Sequence, residues 1–308
     1  MAVGNLKEYL LKYNTPRRII QMLSFIFFSA IILNLGALPL ALPVLWTWGL
    51  PQNTVGDAFT AIQFSFYEAV FPWLAFASFL LVGVFIGKSL CGWVCPFGFV
   101  QDLIGFIKRK KKDFSPRTHD SLVYGKYLTL GLALFISGTF AVTKVLEVSK
   151  NYESALGIFT KAPFTTLSPS ETLFGTLPRM ILGFRYAMFE KPAMEVIAGL
   201  AGLSALFWAQ FVIMILVLVF VALIPRSFCR YICPHGAIMA VLNRFSFLGL
   251  RRDPVKCAKG RCGMCVEVCP MRVPITDLPW EKFSHPECIY CMKCADACKD
   301  KAIRLKYP

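Results

Sequence analysis

The chain has 308 residues, 56% of them hydrophobic and only 17% charged, with 28 Phe. A soluble domain carries about a quarter charged residues, so this composition excludes an ordinary soluble protein. The net charge of +15 does not indicate nucleic acid, because the basic residues cluster beside apolar runs, as the positive-inside rule requires of a membrane protein.

Residues 1–18 carry Lys7, Lys12, Arg17 and Arg18 against Glu8 and read as a cytoplasmic tail. Residues 19–35 form a first spanning helix rather than a cleaved signal peptide, since no clear small-residue cleavage site follows. Pro39 and Pro43 break the pattern, and Trp46 and Trp48 suit an interfacial belt. Residues 49–69 contain no Lys or Arg and lie outside. A second helix covers 70–87 and runs into Cys91-Gly92-Trp93-Val94-Cys95-Pro96. Pro96 suits the first position of a new helix, and Phe99, Leu103, Ile104 and Ile107 recur at helical spacing, so 96–109 is an amphipathic surface helix. The basic run 108–112 marks the cytoplasmic side.

A third helix, 122–146, returns outside to a long loop over 147–192, to which no chemistry is assigned. A fourth, 193–224, ends at Cys229-Arg230-Tyr231-Ile232-Cys233-Pro234. This motif repeats the first, 138 positions later: base, Ser, large apolar, Cys, any, aromatic, β-branched, Cys, Pro, any, Gly. A second amphipathic helix follows over 236–248, then Arg251 and Arg252.

The predicted fold is an all-α polytopic membrane protein of four transmembrane helices with amphipathic surface helices. Two pseudo-symmetric halves, about 1–120 and 121–252, share one topology. Residues 253–308 form a small C-terminal ferredoxin-like α+β domain. Both termini and this domain are expected on the cytoplasmic face of a prokaryotic inner membrane, with 49–69 and 147–192 outside.

Eight of the twelve cysteines fall in two C-terminal runs. Cys288-x2-Cys291-x2-Cys294-x3-Cys298 has the spacing of a bacterial [4Fe–4S] ferredoxin, with Lys299 where Pro is usual. The first run is Cys257-x4-Cys262-x2-Cys265-x3-Cys269-Pro270. In such pairs the fourth cysteine of each run ligates the other cluster. Cys257, Cys262, Cys265 and Cys298 are therefore assigned to cluster one, and Cys288, Cys291, Cys294 and Cys269 to cluster two. A zinc module would favour two separated Cys pairs.

The membrane motif is less specific. Pro96 and Pro234 push the preceding cysteine out of helical geometry, so each helix ends there. The repeat symmetry would bring Cys91, Cys95, Cys229 and Cys233 together at the cytoplasmic face. Four thiols could hold a further iron–sulfur cluster, hold a soft metal such as Cu(I), or cycle between dithiol and disulfide. In the plainest alternative the motif is a helix stop whose cysteines only pack. Lys88 and Arg226 could compensate negative thiolates but read first as positive-inside anchors, and Lys126 and Lys144 read as snorkelling side chains. None of the three histidines lies in a predicted span, and no c-haem, dinucleotide or Walker motif is present.

These residues together resemble the NapH/MauN ferredoxin-type membrane proteins, related to the membrane cores of NosR and CcoG (RdxA/FixG). The likeness is strongest over 70–110 and 194–308. It implies an electron-transfer subunit of quinol-dehydrogenase type, with lipid, quinol and other redox subunits as partners and no nucleic acid. The alternative function is a copper reductase or an assembly factor for a respiratory metalloenzyme.

Overall fold

The computed structural model describes residues 13–28, 58–107, 114–177, 180, 205–257 and 262–307. The expected remainder of the first span, residues 49–57, the basic run 108–112, residues 181–192 and the start of the fourth span lie outside them. The described residues are mostly helical and fall into two compact units. One takes residues up to 26, 77–127 and 221 onward; the other takes 27–76 and 128–220.

Chain order gives α1 (Asn14–Phe28), α2 (Ala58–Tyr67), α3 (Trp73–Ile86), α4 (Ser89–Trp93), α5 (Pro96–Ile107), α6 (Pro116–Val123) and α7 (Gly125–Val145). Then come α8 (Ser149–Leu156), α9 (Ala205–Leu223), α10 (Ser227–Tyr231) and α11 (Pro234–Asn243). Two helical stretches, Pro116–Val145 and Ala205–Leu223, are long and apolar enough to cross a membrane. Only 17% and 28% of their most apolar windows are buried, whereas the core helix of a soluble protein would be mostly covered. The apolar α3 is shorter, at 14 residues. Part of the expected outer loop is helical: Ser149–Leu156 forms α8, which Gly157 closes at φ +53°.

From the serine onward the two motifs fold alike, although the residue before it differs, Lys88 at φ −79° and Arg226 left-handed at φ 53°. In each, a five-residue helix begins at the serine, Ser89 or Ser227. Val94 and Cys95 both donate to the Leu90 carbonyl, at 2.9 and 3.0 Å; Ile232 and Cys233 both donate to Phe228, at 3.0 and 2.9 Å. The proline then starts the next helix. Cys233 is extended (φ −66°, ψ 112°), as a pre-proline residue should be, and its sulfur caps α11 by accepting from Gly236 N at 3.4 Å. Cys95 accepts from Gly98 N at the same 3.4 Å.

The C-terminal region belongs to the first unit. Strands β1 (Gly249–Arg252) and β2 (Ile303–Lys306) pair antiparallel, with Leu250 opposite Leu305. Two short helices, α12 (Met264–Glu267) and α13 (Lys293–Ala297), repeat each other 29 positions apart. Each starts after a left-handed residue, Gly263 or Met292, both at φ 58°. Each run then turns through a second one, Arg272 at φ 54° or Lys301 at φ 49°. The core beneath them is Leu248, Leu250, Met271, Val273, Ile275, Phe283, Ile289, Tyr290 and Ile303.

Candidate iron–sulfur and Cys-Pro site

A cavity inside this core is lined by Cys269, Cys288, Cys291 and Cys294 together. The fourth cysteine of the first run thus joins the first three of the second. Cys257 and Cys262 lie within electrostatic reach of Cys265. Backbone bonds tie the segment after Cys298 to that of Cys257: Asp253 N donates to Ala302 O and Cys257 N to Asp253 O. The last cysteine of each run accepts a backbone N–H at 3.4 Å, Cys269 from Val273 and Cys298 from Ala302. The two additional residues of the first run fall in 258–261, outside the described residues. Cys262 alone among the twelve cysteines is exposed.

The four Cys-Pro thiols also come together. Cys95 and Cys233 each interact electrostatically with Cys229 and Cys91. Gln101, 1% exposed, points its amide nitrogen at Cys229 Sγ at 3.0 Å, and its carbonyl oxygen has no partner. Every sulfur whose partner is seen therefore accepts an N–H, which suits a thiolate bound to a metal.

Burial pushes the Cys91 thiol up to about 11, against the pull of Lys88. Burial also pushes Cys95 up to about 12, helped by Cys229 and Cys91. Cys269 rises to about 11 by burial, and Cys288 and Cys294 rise for the same first reason. Redox-exchange cysteines show the opposite shift, because the thiolate is the nucleophile. A coordinated metal, by contrast, deprotonates a thiol outright. None of the twelve cysteines is in a disulfide.

Among the described residues, no three His, Cys, Asp or Glu side chains are gathered as a single metal ion would need. At metal–sulfur bonds of about 2.3 Å such a site holds its sulfurs within about 4 Å of one another. A polynuclear cluster spreads its thiolates more widely. The all-thiol donor sets, with their N–H partners, fit iron–sulfur clusters.

Lys88 and Arg226 are not surface anchors, and Lys126 does not snorkel to the surface. They are at most 1% exposed and paired with carboxylates that residue spacing gave no reason to single out. Arg226 grips Asp102 twice, Nε to Oδ1 at 3.0 Å and Nη2 to Oδ2 at 2.8 Å. Arg17 also pairs with Asp102, and with Gln21 it donates to the Gly92 carbonyl at 2.9 and 3.0 Å. Arg226 Nη1 reaches the Cys91 carbonyl at 3.1 Å. Glu287 takes Lys88 at 3.0 Å and Lys126 as well. Burial would raise Asp102, but Arg226 and Arg17 hold it well below the carboxylate range. Burial would likewise raise Glu287, but Lys88 and Lys126 hold it at about 2. One sequence signal was available: Asp102 is the sole charge in PFGFVQDLIGFI.

The motifs also seat the cavity loops of Cys269 and Cys288–Cys291. Trp93 Nε1 donates to Tyr290 O at 2.8 Å, and Cys91 and Trp93 pack on the core that holds Cys288 and Cys291. In the second motif Arg230, at the position of Gly92, donates its Nε to Pro270 O at 2.7 Å. Asn243 donates to the Cys288 carbonyl at 3.1 Å and accepts from Lys88 N at 3.0 Å. A Cβ on Gly92 would stand 2.2 Å from the Ile289 carbonyl oxygen, a backbone atom that cannot swing aside. Gly92→Ala is expected to unseat this loop at a cost of about 1–3 kcal/mol or more, read as a lower melting temperature and loss of iron.

A family described as a 4Fe-4S binding domain matches twice, over residues 69–112 and 206–252, each match holding one Cys-Pro motif. An uncharacterised protein of Methanocaldococcus jannaschii is 26% identical over 234 residues, covering 74% of this chain and 76% of its own. The electron transport protein YccM of Escherichia coli is 27% identical over 73% of this chain and 52% of its own length. The methylamine utilization ferredoxin-type protein MauN of Methylobacillus flagellatus is 24% identical over 85% of this chain and 77% of its own. No solved structure is significantly similar. Both Cys-Pro motifs thus lie inside 4Fe-4S matches, and the chain is a homologue of the ferredoxin-type protein MauN along most of that protein's length.

Proposed function

We propose that the chain is a membrane-bound iron–sulfur electron-transfer subunit, passing electrons between the quinol pool or an outer-face redox partner and a partner enzyme. One observation carries this reading. Each Cys-Pro motif binds a loop lining the four-cysteine cavity, through Trp93 to Tyr290 and Arg230 to Pro270, while Cys262 faces solvent. The order is therefore Cys-Pro site, then the Cys269/Cys288/Cys291/Cys294 site, then the Cys257/Cys262/Cys265/Cys298 site. That is a line of one-electron sites from the membrane segment to an exposed edge. The names of YccM and MauN support the same reading.

Iron–sulfur clusters, when bound, supply one-electron transfer without bond rearrangement. The chain's part is to hold three all-cysteine sites in register, keep water from the inner two, and donate N–H bonds to their sulfurs. We place the tail, the basic run and the C-terminal domain in the cytoplasm, with four spans, because the dense basic runs flank these segments.

Iron and acid-labile sulfide on the intact detergent-solubilised protein test the reading. A Cys91→Ser, Cys95→Ser, Cys229→Ser, Cys233→Ser variant should lose about one third of both while keeping the C-terminal EPR signals. It should also lose reduction by a quinol analogue. Unchanged iron with unchanged reduction would overturn the reading. Tight Cu(I) binding by the parent, lost in the variant with no loss of iron, would favour copper handling instead.

A further inference from the structure

The buried charges around the Cys-Pro site do not balance. Asp102 faces two fully buried guanidiniums, Arg17 and Arg226. Glu287 faces two buried ammoniums, Lys88 and Lys126. Burying an ion costs several kcal/mol even after relaxation, so a buried cation calls for negative charge near it. Among the described residues, the buried cations Arg17, Lys88, Lys126, Arg226 and Arg230 outnumber the buried carboxylates Asp102 and Glu287. The surplus is aimed: Lys88, Arg226 and Lys126 all lie in electrostatic range of Cys91, and Arg226 hydrogen-bonds its carbonyl. Lys88 and Arg226 hold the same motif position, three residues before the first cysteine of each pair, so the repeat itself supplies one cation from each half.

We propose that Arg17, Lys88, Lys126 and Arg226, offset by Asp102 and Glu287, form a built-in counter-charge that sets the reduction potential of a doubly anionic iron–sulfur group held by Cys91, Cys95, Cys229 and Cys233. This rests on the assignment of a cluster to that site. Four thiolates on an oxidised [4Fe–4S] core would make a dianion, which these cations would offset. One added electron makes a trianion, with no bond made or broken. Each enclosed positive charge lowers the free energy of that step, and each carboxylate raises it. These side chains are positioning residues and do not ligate.

Potentiometric EPR titration of the full-length, cluster-loaded protein tests this. Lys126 sits on α7, remote in sequence from every cysteine, and Glu287 keeps Lys88 when Lys126 is gone. Lys126→Met should make reduction of the Cys-Pro centre at least about tenfold less favourable, a fall of about 59 mV for one electron. Lys126→Arg should leave the midpoint in place, and Glu287→Gln should raise it. A centre lost in Lys126→Met but kept at its parent midpoint in Lys126→Arg would also support the counter-charge. An unmoved midpoint in Lys126→Met, or equal shifts in the Met and Arg variants, would overturn it. Iron for only two clusters in the parent would overturn the cluster assignment itself, and this inference with it.

Discussion

Asp102→Ala is expected to destabilise the protein by about 3–5 kcal/mol, enough to abolish accumulation or drop the melting temperature steeply. The cost lies in what is left behind. Arg226 and Arg17, 1% and 0% exposed, would keep their charges in a dry interior with only carbonyls for company. The control is Arg17→Gln, which leaves the two-point Arg226–Asp102 pair in place and should cost much less. Thermal unfolding of the two variants in detergent compares them. Equal, small losses would mean that water reaches Asp102. The pair also has a pH signature. Because the folded carboxyl lies below its ordinary value, its contribution is complete above about pH 4 and fades as pH falls toward the folded value.

Cys269→Ala and Cys298→Ala should damage opposite clusters. Cys269 lines the cavity of Cys288, Cys291 and Cys294, so its loss should remove that centre and spare the one at Cys257, Cys262 and Cys265. Ala302, whose N–H Cys298 accepts, is bonded to the 253–257 segment, so loss of Cys298 should do the reverse. EPR of the reduced proteins separates the outcomes, since two interacting S = 1/2 signals should collapse to a single uncoupled one in each variant. The survivor should differ, with the exposed cluster more accessible to a water-soluble relaxant. If each variant instead loses the cluster of its own run, the ligands are not crossed.

The sequence by itself determined the twofold repeat, the helix breaks and the ligand chemistry. Those depend on local physics: a proline forces the preceding cysteine out of the helix, and cysteine spacing fixes what a tight loop can grip. The matching hydrogen bonds at Leu90 and Phe228 follow from that alone. Only the tertiary structure decided how the repeats differ. Positions 92 and 230 read as arbitrary in the motif, yet Gly92 makes room for the Ile289 carbonyl and Arg230 binds Pro270. The charges were likewise illegible. Lys88, Lys126 and Arg226 sit next to apolar runs, where basic residues usually face lipid headgroups. Their partners lie 199, 161 and 124 residues away, and no local pattern records which acid a buried cation will meet. Folding decides that, because a buried charge persists only where some other segment of the chain brings its counter-charge to it.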